Sequence, residues 1–107
     1  MHDLIKGKTH RWTYDDGPVA GKTFEHTFGE DGHVSYHEVG KPAENDPTET
    51  KPTYQLEHIN DDVCVVSYLG DAGYTLTTVL DRKTGQLTSF ASNEKELVVQ
   101  HGTFTQA

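Results

Sequence analysis

The stretch Lys22-Thr23-Phe24-Glu25-His26-Thr27-Phe28-Gly29-Glu30-Asp31-Gly32-His33-Val34-Ser35-Tyr36-His37-Glu38-Val39 decides the fold. Phe24, His26 and Phe28 alternate with Thr23, Glu25 and Thr27, the period of two that a half-buried strand requires. Glu30-Asp31-Gly32 turns the chain, because glycine tolerates the positive φ of a tight hairpin. His33–Val39 then returns with Val34 and Tyr36 on one face. The segment is a β-hairpin with an aromatic face.

The same grammar extends in both directions. Upstream, the run Thr9–Tyr14 is closed by Asp15-Asp16-Gly17-Pro18. Downstream, Thr53–Ile59 alternates Tyr54, Leu56 and His58 against Gln55 and Glu57. Asn60-Asp61-Asp62 leads into Val63–Leu69, the most apolar run of the chain. Turns at Gly70-Asp71-Ala72-Gly73, Asp81–Gly85 and Ser92–Lys95 separate the further strands Tyr74–Leu80, Gln86–Ala91 and Glu96–Phe104. Only Gly40–Pro52, with Pro42, Pro47 and Pro52 and no large apolar side chain, is long. It reads as a mobile solvated connector, with a lid over an opening as the alternative. Eight strands joined mainly by tight turns predict an all-β, eight-stranded antiparallel up-and-down barrel. The Greek-key crossovers of a sandwich need longer connections.

The 107 residues form a single domain, 1–107, with room for one core. Lys and Arg number 9 against 17 Asp and Glu, giving 9 − 17 = −8. That balance argues against nucleic acid and anionic membrane as partners, since both need a basic face. One cysteine, Cys64, excludes an intramolecular disulfide and fits a reducing, cytoplasmic setting. The N-terminal residues lack the apolar core of a signal peptide, and no run approaches the ~20 apolar residues of a membrane helix.

Gly70–Asp81 together with Leu87-Thr88-Ser89-Phe90-Ala91-Ser92 resembles the MoaF-like family of small calycin (lipocalin-like) proteins. Trp12-Thr13-Tyr14 leading to Gly17, Gly21-Lys22-Thr23-Phe24 and Gly102-Thr103-Phe104 extend that resemblance over nearly the whole chain. It implies an eight-stranded barrel around a pocket and brings no defined reaction. The layout is more distantly similar to bacterial phenolic acid decarboxylases, in which two tyrosines hold the substrate while an Arg and a Glu serve acid–base chemistry. By position the tyrosine pair falls on Trp12 and Tyr14, and the catalytic Glu falls on Gly70. No Arg occurs between Arg11 and Arg82. The likeness is therefore one of fold, without the decarboxylase constellation.

Strand parity puts Phe24, His26 and Phe28 inside. The positional match to the decarboxylases adds Trp12 and Tyr14, the set Cys64, Val66 and Tyr68, and the set Tyr74, Leu76 and Thr78. The expected ligand lining is Trp12, Tyr14, Phe24, His26, Tyr36, Tyr68 and Tyr74, which suits a small apolar or aromatic molecule. Of seven histidines, His26 is the candidate acid or base, set against a neutral buried imidazole that only donates one hydrogen bond. Asp71, at the rim, is the nearest carboxylate to the Gly70 position. His33 and His37 lie four apart on a strand, ~13 Å between backbones and too far for one ion, so no metal site is expected. Cys64, in the most apolar run, reads as inert packing. No serine lies in a Gly-x-Ser-x-Gly elbow, and no Gly-rich phosphate loop precedes a helix.

Three functions follow. The first is a small-molecule-binding barrel with no cofactor. The second is a cofactor-free lyase, decarboxylase or isomerase using Tyr14 and His26. The third is a subunit-interaction protein, a homodimer packing through Val63 and Val65 on an outer face.

Overall fold

The computed structural model describes residues 5–40, 52–70 and 73–106. Most of the proline-rich connector, 41–51, and Asp71 with Ala72 lie outside these residues. Among the described residues there are eight strands and no α-helix. They are β1 (Lys8–Tyr14), β2 (Thr23–Phe28), β3 (Val34–Glu38), β4 (Tyr54–His58), β5 (Val63–Leu69), β6 (Thr75–Asp81), β7 (Gln86–Ser92) and β8 (Leu97–Gln106). The alternation of side-chain character locates each boundary to within two residues of its expected position.

All eight strands belong to one antiparallel sheet, ordered β3-β2-β1-β8-β7-β6-β5-β4 and curled into a barrel. Sequence neighbours pair through hairpins, and β1 pairs with β8 from His10↔Gln106 to Tyr14↔Gly102. The eighth junction, β3 to β4, is a single bridge at His33↔Thr53. The Val34 amide donates to the Pro52 carbonyl at 2.9 Å, and the Tyr54 amide to the Gly32 carbonyl at 3.0 Å. From that bridge the two antiparallel strands run apart, so the cylinder is open along a seam rather than hydrogen-bonded all round.

Side-chain amides and carboxylates seed the turns. Asn60 Oδ1 accepts from the amides of Asp62 and Val63, Asp81 Oδ1 from those of Lys83 and Thr84, and Asn93 Oδ1 from those of Lys95 and Glu96. Asp31 Oδ1 takes the His33 amide in the first hairpin. Each is a local bond of the kind Asx turns supply, and each diverts the chain just where a strand must end. Where β1 and β8 approach most closely, only a glycine fits: a Cβ at Gly102 would sit 2.0 Å from the Thr13 carbonyl oxygen.

Alternation along every strand sends one set of side chains inward. The lower end of the barrel, at the β2–β3, β4–β5 and β6–β7 turns, is filled by Ile5, Phe28, Val34, Cys64, Leu80 and Leu87. Tyr54 stands edge-on to Phe28 at 5.2 Å and donates its hydroxyl to the Gly29 carbonyl at 2.7 Å, which stoppers that end. Each such apolar side chain contributes roughly 1.5–3 kcal/mol by leaving water. Cys64 is buried among them, as its apolar strand implies. Val63 and Val65 face outward and are half-buried.

Candidate functional site

Above the apolar plug lies a layer of aromatic and polar rings. In the register, His26 on β2 stands opposite Tyr36 on β3 and opposite His10 on β1, one alternation from Trp12. Three rings stack across three adjacent strands. Trp12 and His26 have centroids 3.8 Å apart and planes 21° apart; His26 and Tyr36 are at 5.4 Å and 20°. From β5, Tyr68 reaches into the same group, its ring 5.5 Å from Tyr36 and its hydroxyl 2.8 Å from His26 Nε2. Tyr14 on β1 meets Phe24 edge-on at 5.9 Å. Its hydroxyl lies 3.0 Å from Ser89 Oγ, which is in turn 2.8 Å from Thr78 Oγ1. A buried chain of hydroxyls thus lines the wall formed by β6 and β7.

The electrostatics keep this layer uncharged. Burial drives the His26 pKa down to about 3, and the nearby His10 and His37 push in the same direction. The Phe24 carbonyl favours a ring proton slightly, yet makes no hydrogen bond of ordinary geometry to Nδ1. Burial raises the Tyr14 pKa, with the Ser89 bond opposing it in part. Tyr68 is held well above the usual phenol value by burial first and by the neighbouring Tyr14 and Tyr36 phenols second. At neutral pH the layer is phenols, an indole and a neutral imidazole.

Two of its polar groups are left over. Among the described residues, Trp12 Nε1 and His26 Nδ1 are fully buried and have no hydrogen-bond partner. Trp12 is 1% exposed and His26 3%. The indole group is always a donor, whichever tautomer the imidazole adopts. Buried polar groups are paired in the great majority of cases, and each exception calls for an explanation.

The structure therefore brings together six of the seven expected lining residues: Trp12, Tyr14, Phe24, His26, Tyr36 and Tyr68. Tyr74 is the correction. It precedes β6, just after Gly73 with its φ of +78°, and its hydroxyl donates to the Glu96 carboxylate at the exposed upper rim. Strand parity does not carry through a glycine turn, and Glu96 offers the Tyr74 hydroxyl an acceptor at the rim. Tyr14 and His26, the proposed catalytic pair, are each hydrogen-bonded to a third residue, Ser89 and Tyr68 respectively. At Gly70, where the decarboxylase Glu would fall, a Cβ would lie 2.9 Å from Leu76 Cδ1 and 3.6 Å from the Tyr36 hydroxyl.

Neither the Thr78–Ser89 hydroxyl chain nor the burial of His10 is among the expectations above. His10 is in fact buried on the same face as Trp12 and Tyr14. Parity was the available signal for both: Ser89 lies between Leu87 and Ala91, and His10 lies two before Trp12. Among the described residues no three His, Cys, Asp or Glu side chains converge as a metal site, and no helix is long and apolar enough to cross a membrane.

Fold and site together define an all-β calycin-like barrel with an uncharged aromatic layer in its lumen. No known family model and no curated protein sequence matches the chain. Among solved structures, a crystal structure from Burkholderia vietnamiensis, described as a "putative beta-lactamase", is similar to it with a TM-score of 0.74 and 17% identity. The match covers 100% of this chain and 99% of that one. At that identity the likeness is one of fold.

Proposed function

We propose that the protein binds a small, neutral, planar molecule of aromatic or apolar character in its lumen, between Trp12, Tyr14, Phe24, His26, Tyr36 and Tyr68. The observation that carries this reading is the pair of buried, unpartnered groups in the aromatic layer, Trp12 Nε1 and His26 Nδ1. A ligand carrying a hydrogen-bond acceptor for the indole N–H would satisfy a group that the protein leaves unmet. The uncharged layer favours a neutral molecule over an ion, because nothing in it offsets the desolvation of a charge. The MoaF-like resemblance supports the same reading, and the single cysteine supports a cytoplasmic setting.

Catalysis by Tyr14 and His26 is the less favoured reading. An imidazole that stays neutral down to about pH 3 is a poor general base near neutrality. Nor do we carry over the lactamase description of the structural neighbour. Ser92-Asn93-Glu94-Lys95 spells the Ser-x-x-Lys pattern, but it forms the turn between β7 and β8, where Asn93 caps the amides of Lys95 and Glu96. Acyl transfer needs nucleophile, base and oxyanion donors converging in a cleft.

The test is native mass spectrometry of the purified protein for a co-purified molecule, with titration of Trp12 fluorescence by neutral aromatic ketones, amides and phenols. Trp12 is the only tryptophan, so its emission reports the layer directly. A saturable change that His26→Phe weakens supports the reading. No co-purified molecule and no saturable response to any of these compounds overturns it.

A further inference from the structure

A second concavity lies at the opposite end of the barrel from the ring of turns that carries Tyr74. We infer that it is a separate binding site that takes a small carboxylate borne on an apolar group. The depression holds about 190 Å³ and is lined by His10, Arg82, Gly85, Phe104, Thr105 and Gln106. Three elements build it: the start of β1, the end of β8 and the β6–β7 turn.

Arg82 supplies the charge. Its backbone is fixed by an amide bond to the Asp62 carbonyl at 2.8 Å, and one guanidinium nitrogen, Nη1, donates to the Asp61 carbonyl at 3.2 Å. Both anchors are neutral carbonyls. Among the described residues no carboxylate lies within ion-pairing distance of this guanidinium, although the chain holds 17 acidic residues against 9 basic ones. One oxygen of the adjacent Asp81 carboxylate, Oδ1, is turned to the amides of Lys83 and Thr84 rather than to the guanidinium. The remaining donors of the Arg82 fork are thus available, in the planar arrangement that matches a carboxylate.

The rest of the depression explains why a bare anion is not the best occupant. Phe104 is half-buried and stands edge-on to the His10 ring at 6.3 Å, which makes one wall apolar. Gly85 keeps the turn side open: its carbonyl accepts the Phe104 amide at 2.9 Å, pinning the turn to β8, and no side chain projects from it. The volume falls below the ~300 Å³ at which drug-sized pockets begin, so the occupant is no larger than a single ring with its acid group. This site shares no residue with the proposed lumen lining.

The experiment follows backbone amide signals by two-dimensional NMR while benzoate, benzamide and inorganic phosphate are added in turn. Benzoate is expected to move the signals of Arg82, Gly85, Phe104 and Thr105 saturably, with benzamide and phosphate each at least tenfold weaker. Arg82→Gln, a change at an exposed turn position, is expected to weaken benzoate at least tenfold. Equal binding of benzamide and benzoate overturns the charge assignment without needing any variant. Phosphate binding as well as benzoate overturns the apolar part. Wild-type affinity in Arg82→Gln overturns the site. Trp12 emission reports the lumen, so failure here and failure of the lumen reading are read separately.

Discussion

Acid should destabilise this barrel through one residue, His26, well before its carboxylates titrate. Above pH 6.5 the imidazole is neutral in both folded and unfolded chains, and it contributes nothing to pH dependence. Below that value the unfolded chain takes up a proton that the folded barrel refuses until about pH 3. A depressed histidine therefore costs stability as pH falls through this window, by about 1.4 kcal/mol per unit for one proton. Between about pH 7.5 and about pH 4.5 the loss is on the order of 2–3 kcal/mol, a sizeable share of the ~5–15 kcal/mol that holds a domain together. Asp16 and Asp31 have lowered pKa values, so the stability they confer is lost only as pH falls through the carboxylate range below 3.8. The assay is urea unfolding of wild type and His26→Phe at several pH values. Phenylalanine keeps a ring in the stack and removes the titration, while His10 and His37 stay in both proteins. The wild-type curve should fall more steeply than the variant's across the window; parallel curves would refute the burial argument.

Two further outcomes follow from the packing. Tyr68→Phe strips from buried His26 Nε2 its hydrogen-bond partner among the described residues and should cost about 1–3 kcal/mol, lowering the melting temperature by about 4–8 °C per kcal/mol. The double variant His26→Phe, Tyr68→Phe removes both polar atoms and should be more stable than Tyr68→Phe alone; thermal melts in which the two losses simply add would count against the pairing. Gly102→Ala forces a methyl onto the Thr13 carbonyl and should cost about 3 kcal/mol or more. Gly21→Ala, at a φ of +81° in open space, should cost only about 1–2 kcal/mol, a contrast that urea melts of the two variants resolve.

Much of the fold is written in local pattern. The run Phe24 to Phe28 carries its own strand and its own inward face, and Asn60, Asp81 and Asn93 announce turns through bonds made within three residues. The seam is not legible in the same way. Whether β3 and β4 zip together or meet at one bridge depends on how six other strands twist, which no window of sequence contains. Parity along an unbroken strand sufficed at Phe24, His26 and Phe28, whereas Trp12 and Tyr68 were placed inside only by the positional likeness to the decarboxylases, since the two faces of β5 are equally apolar. Parity failed at Tyr74, where Gly73 resets the direction of the side chain before β6 begins. Thr78 was legible as an inward residue, but Ser89 and the bond between them were not, because a small hydroxyl residue looks like a surface residue until its neighbours in the alternation are considered. The unmet indole N–H of Trp12 has no sequence signature at all, since it depends on which oxygen atoms other strands bring near.

The placing of the weak junction gives this barrel an unusual freedom. The strands that begin and finish the polypeptide are zipped to each other, His10 opposite Gln106, while the loosest join separates β3 from β4. The ring therefore keeps no structural record of which of the eight strands comes first. A gene rearranged to begin at Thr53 and end at Gly40, with a short linker from Gln106 to Ile5, would encode the same seven ladders in the same order, with its new ends flanking the opening instead of opposing it.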